Sequence, residues 1–160
     1  MTDPARTFTL DVSYSQIAVF GARVEAPFSD WTDRHVNQGF AWRHESVSFR
    51  TVQEGGPHEV VVAITGRVGA VSADAVRVID VPFEVPPEGV LEIASIADSA
   101  EIAVPPGMYL LRCEFLRPQA ATAGVRLSFA SGDEPVFRVV LADGELSPEA
   151  DLLTSAEPAG

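Results

Sequence analysis

The stretch "AVRVIDVPFEVPPEGVLEIASIADSAEIAVPPGMYLLRCEFL", residues 75–116, decides the fold. It reads as four strands divided by turns. Ile79, Val81, Phe83 and Val85 alternate with Asp80, Pro82 and Glu84, the period of two that an extended chain shows when one face is buried. Pro82 has no N–H to give to a neighbouring strand, so it predicts an edge position or a bulge. "PPEG" at 86–89 is a tight turn, since proline presets one central dihedral and glycine accepts a positive one. "VLEIASI" and "AEIAV" are short strands, and "PPG" at 105–107 launches the long strand "MYLLRCEFL".

The same pattern extends outward. In "TFTLDVSY", Phe8, Leu10, Val12 and Tyr14 share one face, and Thr7, Thr9, Asp11 and Ser13 share the other. "QIAVFGA" follows almost at once, "SVSFRTV" places Val47 and Phe49 on one side, and "EGGPHEVVVAITG" passes from a turn cluster into an apolar strand. "GVRLSFA", the turn "SGDEP" and "VFRVVLA" read as a last hairpin. About nine or ten short strands at this spacing predict an all-β protein, an antiparallel β-sandwich. No sustained strand–helix alternation occurs, which excludes a doubly wound parallel sheet. Residues 1–142 are expected to form one domain. Residues 143–160, with five acids, two prolines and no base, read as an acidic, flexible tail.

One segment breaks the pattern: "FSDWTDRHVNQGFAW", residues 28–42, which holds both tryptophans. Asp30 suits the N-cap, and Asp33 suits the positive end of the helix dipole. Gly39 suits the left-handed position past a helix end. A helix from Trp31 to Gln38 follows. Two turns are marginal alone, so packing must hold them. Trp31 and Val36 are the expected anchors, with Phe40 and Trp42 packing just beyond, so that the helix plugs an open end or edge of the sheets.

Composition removes several classes of function. The chain of 160 residues carries 23 acidic and 11 basic side chains, a formal net charge of −12, and every base is arginine. The imbalance grows along the chain, with 10 acids against 7 arginines in residues 1–80 and 13 against 4 in 81–160. Such a surface repels nucleic acid and anionic lipid and favours basic partners, although solubility alone also explains it. Direct nucleic-acid binding is not expected. No apolar run approaches the roughly 18 residues that span a bilayer. "MTDPARTFTLD" lacks the charged and apolar regions of a signal peptide, so a cytoplasmic location is the expectation. The single cysteine, Cys113, excludes an intramolecular disulfide and reads as a buried, inert thiol.

Catalytic signatures are missing as well. The three histidines, His35, His44 and His58, show no HxH or HExxH spacing, and there is no CxxC. No metal and no cofactor is expected, and His35 and His44 read as surface residues. No GxSxG, P-loop or GxGxxG occurs. The pairs Asp30/Asp33 and Asp133/Glu134 are explained by capping and turn formation. An enzyme is therefore not supported, and a binding module with an acidic face remains.

"SYSQIAVF" (13–20), "DWTDRHVNQGFAW" (30–42) and "SVSF" (46–49) closely resemble the competence protein J (ComJ) family. "VPF" at 81–83, "GVLEIASI" and "PPGMYLLRC" continue the likeness, which spans roughly residues 8 to 129. The lysine-free composition and the acidic tail depart from the family's better-known members. The resemblance implies a non-catalytic protein inhibitor of a metal-dependent nuclease of the DNA-uptake machinery. It points to Asp30, Trp31, Thr32 and Asp33 as partner-binding residues, with Glu45 extending an acidic patch. Tyr14, Gln16 and Phe20 match the preceding motif, but their strand setting places several of them in the core. Two other functions fit the same residues. One is a small-ligand- or carbohydrate-binding sandwich with Trp31 or Trp42 in a pocket. The other is an immunity protein for an unrelated nuclease.

Overall fold

The four strands read in residues 75–116 form two edge-to-edge pairs that fall in different sheets. In the computed structural model, which describes residues 5–119 and 122–159, the strands are β1 (Arg6–Val12), β2 (Gln16–Gly21), β3 (Phe40–Arg43), β4 (Ser46–Arg50), β5 (Gly56–Thr65), β6 (Ala75–Val85), β7 (Val90–Ala94), β8 (Ser99–Ala103), β9 (Gly107–Gln119), β10 (Thr122–Ala130) and β11 (Arg138–Leu141). The one helix among the described residues, α1, spans Asp33–Gln38. A six-stranded sheet has the order β1-β5-β10-β9-β6-β11, and a five-stranded sheet the order β3-β4-β2-β7-β8. The ends of the expected 1–142 domain and 143–160 tail, at residues 1–4 and 160, lie outside the described residues, as do 120 and 121.

One core joins the two sheets. Leu10, Val60, Ile79, Val81, Phe83, Leu111, Cys113, Val125 and Leu127 come from the larger sheet, and Ile17, Val19, Phe40, Val47, Phe49, Leu91 and Ile93 from the smaller. Each strand contributes alternate residues, as the period of two requires. The expected sandwich is therefore present. Its pairing is antiparallel throughout, except that β5 and β10 run parallel.

Two sequence expectations meet a different outcome. "VFRVVLA" forms no hairpin with "GVRLSFA". Both edges of β10 are taken, by β5 and β9, so β11 crosses over to pair with β6 instead. Phe137 guides the crossing, its ring stacked 6.1 Å from Phe40 and edge-on at 5.0 Å to Trp42. The second difference is β3, an eleventh strand in a segment read as the end of the helical plug. It pairs with β4, Phe40 opposite Phe49. Pro82 behaves as expected of an edge residue: β11 covers β6 only at Val78, Ile79 and Asp80. Beyond that cover, the Trp42 indole N–H donates to the Pro82 carbonyl at 2.7 Å.

The segment read as a flexible tail lies against the domain. Leu146 joins the core, and Asp143 receives two hydrogen bonds, 2.8 and 2.9 Å, from the fully buried guanidinium of Arg77. Arg77 is in phase with Ile79 and Val81 on the core face of β6, so its charge demands a partner there. Asp143 is the hydrogen-bonded partner, and the Glu145 carboxylate lies 3.5 Å from the same guanidinium. Its demand fixes the chain at the point where the acidic segment begins.

Candidate functional site

The helix starts two residues later than the sequence suggests, and its cap is Thr32 rather than Asp30. Thr32 sits in an extended conformation, its hydroxyl accepting from the His35 N–H, while the His35 ring accepts from the Thr32 N–H at 2.9 Å. This is a capping box with histidine in the place usually held by Glu or Gln. Because Nδ1 accepts, the ring proton sits on Nε2, which donates to the Ser155 carbonyl at 2.9 Å. Gly39 closes the helix with φ of 90°, as expected. A side chain there would also meet Ile79 Cδ1 at 2.9 Å.

The inward face of α1 is polar. His35 and Gln38 are buried, whereas Val36, the expected anchor, is 37% exposed. His35 is thus not the surface residue that its sequence context suggests, while His44 is exposed. Gln38 donates to the carbonyls of Phe40 (3.0 Å) and Leu153 (2.9 Å) and accepts from the Leu153 N–H at 2.9 Å. Arg34 donates to the Asp151 carbonyl, the Ser147 N–H to the Asn37 carbonyl, and the Asp30 N–H to the Glu157 carbonyl. Residues 147–159 therefore form a strap across α1 and the segment before it. Without apolar periodicity, the strap holds through side-chain-to-backbone hydrogen bonds.

The strap fixes the four consecutive candidates. Asp30, Thr32 and Asp33 are exposed and Trp31 is half-buried. No ion pair among the described residues engages Asp30 or Asp33. Their charge faces solvent unneutralised. Trp31 packs edge-on against His35 at 6.3 Å. Glu45 is placed elsewhere, in the β3–β4 turn, where its carboxylate lies 3.6 Å from His44 Nε2. Among the described residues no hydrogen bond or ion pair links Glu45 itself to Asp30–Asp33, although its neighbours Arg43 and Ser46 donate to Ser29 and to the Pro27 carbonyl just before that segment.

One residue that the strand reading placed in the sheet, Tyr14, belongs beside this segment. The face shared by Leu10 and Val12 does not continue to Tyr14. The chain reverses there, with Tyr14 and Ser15 both left-handed (φ 57° and 56°), and Tyr14 is 77% exposed. Tyr14, Ser15, Gln16, Trp31, Val36 and Arg50 line a shallow groove of about 270 Å³. The signal in the sequence was the short gap between "TFTLDVSY" and "QIAVFGA", which leaves room only for a tight turn. Phe20 is buried, on the outer face of the smaller sheet with Ala18 and Ala94. A second concavity, of about 410 Å³, pairs four of its six charged side chains internally, Arg112 with Asp80 and Arg67 with Asp133. Trp42 has spent its N–H on Pro82. Among the described residues, no group of three or more His, Cys, Asp or Glu is placed to hold a metal ion, and no helix is long and apolar enough to cross a membrane.

The family model of competence protein J (ComJ) matches residues 9–137. The solved structure of ComJ from Bacillus subtilis, an inhibitor of the DNA degrading activity of NucA, is similar in fold. Its TM-score is 0.72 at 22% identity, covering 82% of this chain and 98% of that one. A structure described as crocagin biosynthetic gene J is also similar, with a TM-score of 0.59 at 17% identity, covering 81% of this chain and 97% of the other. No curated protein matches the chain.

Proposed function

The chain belongs to the competence protein J (ComJ) family, and from that premise we propose that it is a protein inhibitor of a DNA-degrading nuclease. It acts by occupying the nuclease, not by chemistry of its own. The observation that carries this reading is the family match over residues 9–137, within which Asp30 and Asp33 stand exposed and unpaired. A nuclease site is built to receive a polyanion. An inhibitor with a net charge of −12 is steered toward such a site, and its unpaired carboxylates take positions that phosphates would otherwise fill. Asp30, Trp31, Thr32 and Asp33 form the binding segment in this reading, and Glu45 adds to the acidic surface from the β3–β4 turn.

Calorimetric titration of the protein into a metal-loaded nuclease of the DNA-uptake type tests the proposal. A one-to-one complex is expected, with an affinity that falls as salt rises. Replacing both Asp30 and Asp33 with Asn should raise Kd by about tenfold at low salt and flatten the salt dependence. Heats indistinguishable from dilution for the unmodified protein would overturn the reading.

A further inference from the structure

The groove beside the acidic segment has features that a purely structural turn does not need. β1 and β2 are joined by two consecutive left-handed residues, neither of them glycine. Asparagine, aspartate or glycine adopts that conformation at less cost than tyrosine. The turn is nevertheless held firmly: the Ser15 N–H donates to the Glu54 carbonyl and the Thr51 N–H to the Ser15 carbonyl, both at 2.9 Å. The result is a rigid mount that holds Tyr14 77% exposed.

Across from that ring lie Trp31 and Val36, and two polar atoms below the groove surface lack a protein partner: the Trp31 indole N–H and the Gln16 side-chain carbonyl. One is a donor and the other an acceptor. A buried polar group without a hydrogen bond is costly, and two of opposite kind at one groove ask for a ligand that offers both. Arg50 does not supply it, since its guanidinium donates to the Val36 and Glu145 carbonyls at 3.2 and 3.1 Å. The unpaired carboxylates of Asp30 and Asp33 flank Trp31 in the chain.

We propose that this groove is the anchor of the partner interface and that its occupant is an extended basic segment of the nuclease. The inference rests on the inhibitor reading and deepens it. A main-chain amide of the segment gives its carbonyl to the Trp31 N–H and its N–H to the Gln16 carbonyl, after a side-chain rotation that turns these atoms outward. An apolar side chain of the segment lies between Tyr14 and Val36. Lysine or arginine residues flanking it face Asp30 and Asp33. Tyr14 is the expected hot spot, because an aromatic on a rigid mount contributes area with little entropy loss.

The test uses three variants of the full chain and a metal-loaded DNA-uptake nuclease. Tyr14→Asn removes the ring while keeping a residue that favours the left-handed turn, so the fold should survive, as an unchanged or raised denaturation midpoint would confirm. Its Kd should rise at least thirtyfold. Trp31→Phe keeps an aromatic ring, smaller than the indole, removes the N–H and should weaken binding about fivefold. Met108→Ala, exposed at the start of β9, should change nothing. If the unmodified protein binds and folded Tyr14→Asn binds within twofold of it, the groove proposal is overturned while the inhibitor reading stands. If the unmodified protein does not bind, both fall together. A concentration-dependent dimer abolished by Tyr14→Asn would show that a second copy fills the groove, which also overturns the proposal.

Discussion

Gln38 is the side chain on which the placement of the acidic segment most depends. It is 2% exposed and makes three hydrogen bonds, two of them to the main chain of Leu153. Gln38→Ala removes all three and strands the Leu153 N–H and two carbonyls. At a net worth of about 0.5–1.5 kcal/mol each, the loss is about 1.5–4.5 kcal/mol, toward the upper end if the stranded groups stay buried. For a chain of this length, at about 2–4 °C per kcal/mol, that lowers Tm by roughly 3–18 °C. The more telling assay is amide hydrogen exchange. The Leu153 N–H should lose its protection, and the N–H groups of Asp30 and Ala159, which bond along the same strap, should follow. Amides of β9 and β10 should not change beyond the global shift. If Leu153 keeps its protection and Tm holds within 1 °C, the strap is not what positions the helix, and the reasoning fails.

Three further outcomes follow from other buried groups. Asp143→Ala together with Glu145→Ala leaves the Arg77 guanidinium buried without a carboxylate and should cost about 3–5 kcal/mol in urea unfolding, Asp143→Ala alone less because Glu145 stays 3.5 Å away, and Arg77→Met, which removes the charge itself, should also cost less. His58 is held neutral: burial lowers its pKa, and the Gly56 carbonyl and the Asp11 charge offset this only in part. The folded state therefore binds fewer protons than the unfolded chain below about pH 6.5, so stability should fall as pH drops through that value and toward the folded pKa. His58→Gln should remove that part of the slope between pH 7.5 and 5.5. Burial pushes the Cys113 thiol well up, with the Glu114 charge adding to it. A thiol reagent should leave it untouched in the native protein and titrate one equivalent in denaturant.

Much of the sandwich was legible because alternation is local. Ile79, Val81, Phe83 and Val85 announce a buried face without reference to any other segment, and Pro82 announces an open edge. Pairing is not local. Nothing within "VFRVVLA" says that β10 has no free edge left, so the expected hairpin gives way to a crossing onto β6. The helix shows the same division. Gly39 is read correctly because a left-handed stop is a property of one residue. The inward face is misread because His35 and Gln38 are buried only through carbonyls supplied by Ser155 and Leu153, more than a hundred residues on. The strap carries no apolar period, and its charge and prolines resemble those of a free tail. Tyr14 fits the alternation of β1 and leaves it only because the chain turns there. The candidate segment Asp30–Asp33 was found through its family likeness, and its place beside the Tyr14 groove emerges only in three dimensions.

The inhibitor account is tested most directly by DNA cleavage. A fixed amount of DNA-uptake nuclease, with its divalent metal in excess, is titrated with the protein at low and moderate salt, and DNA degradation is followed with time. Cleavage should fall linearly and reach zero near one equivalent, with Tyr14→Asn and the Asp30/Asp33 double substitution each shifting the curve to higher concentration. Undiminished cleavage at a large excess of folded protein would contradict the account.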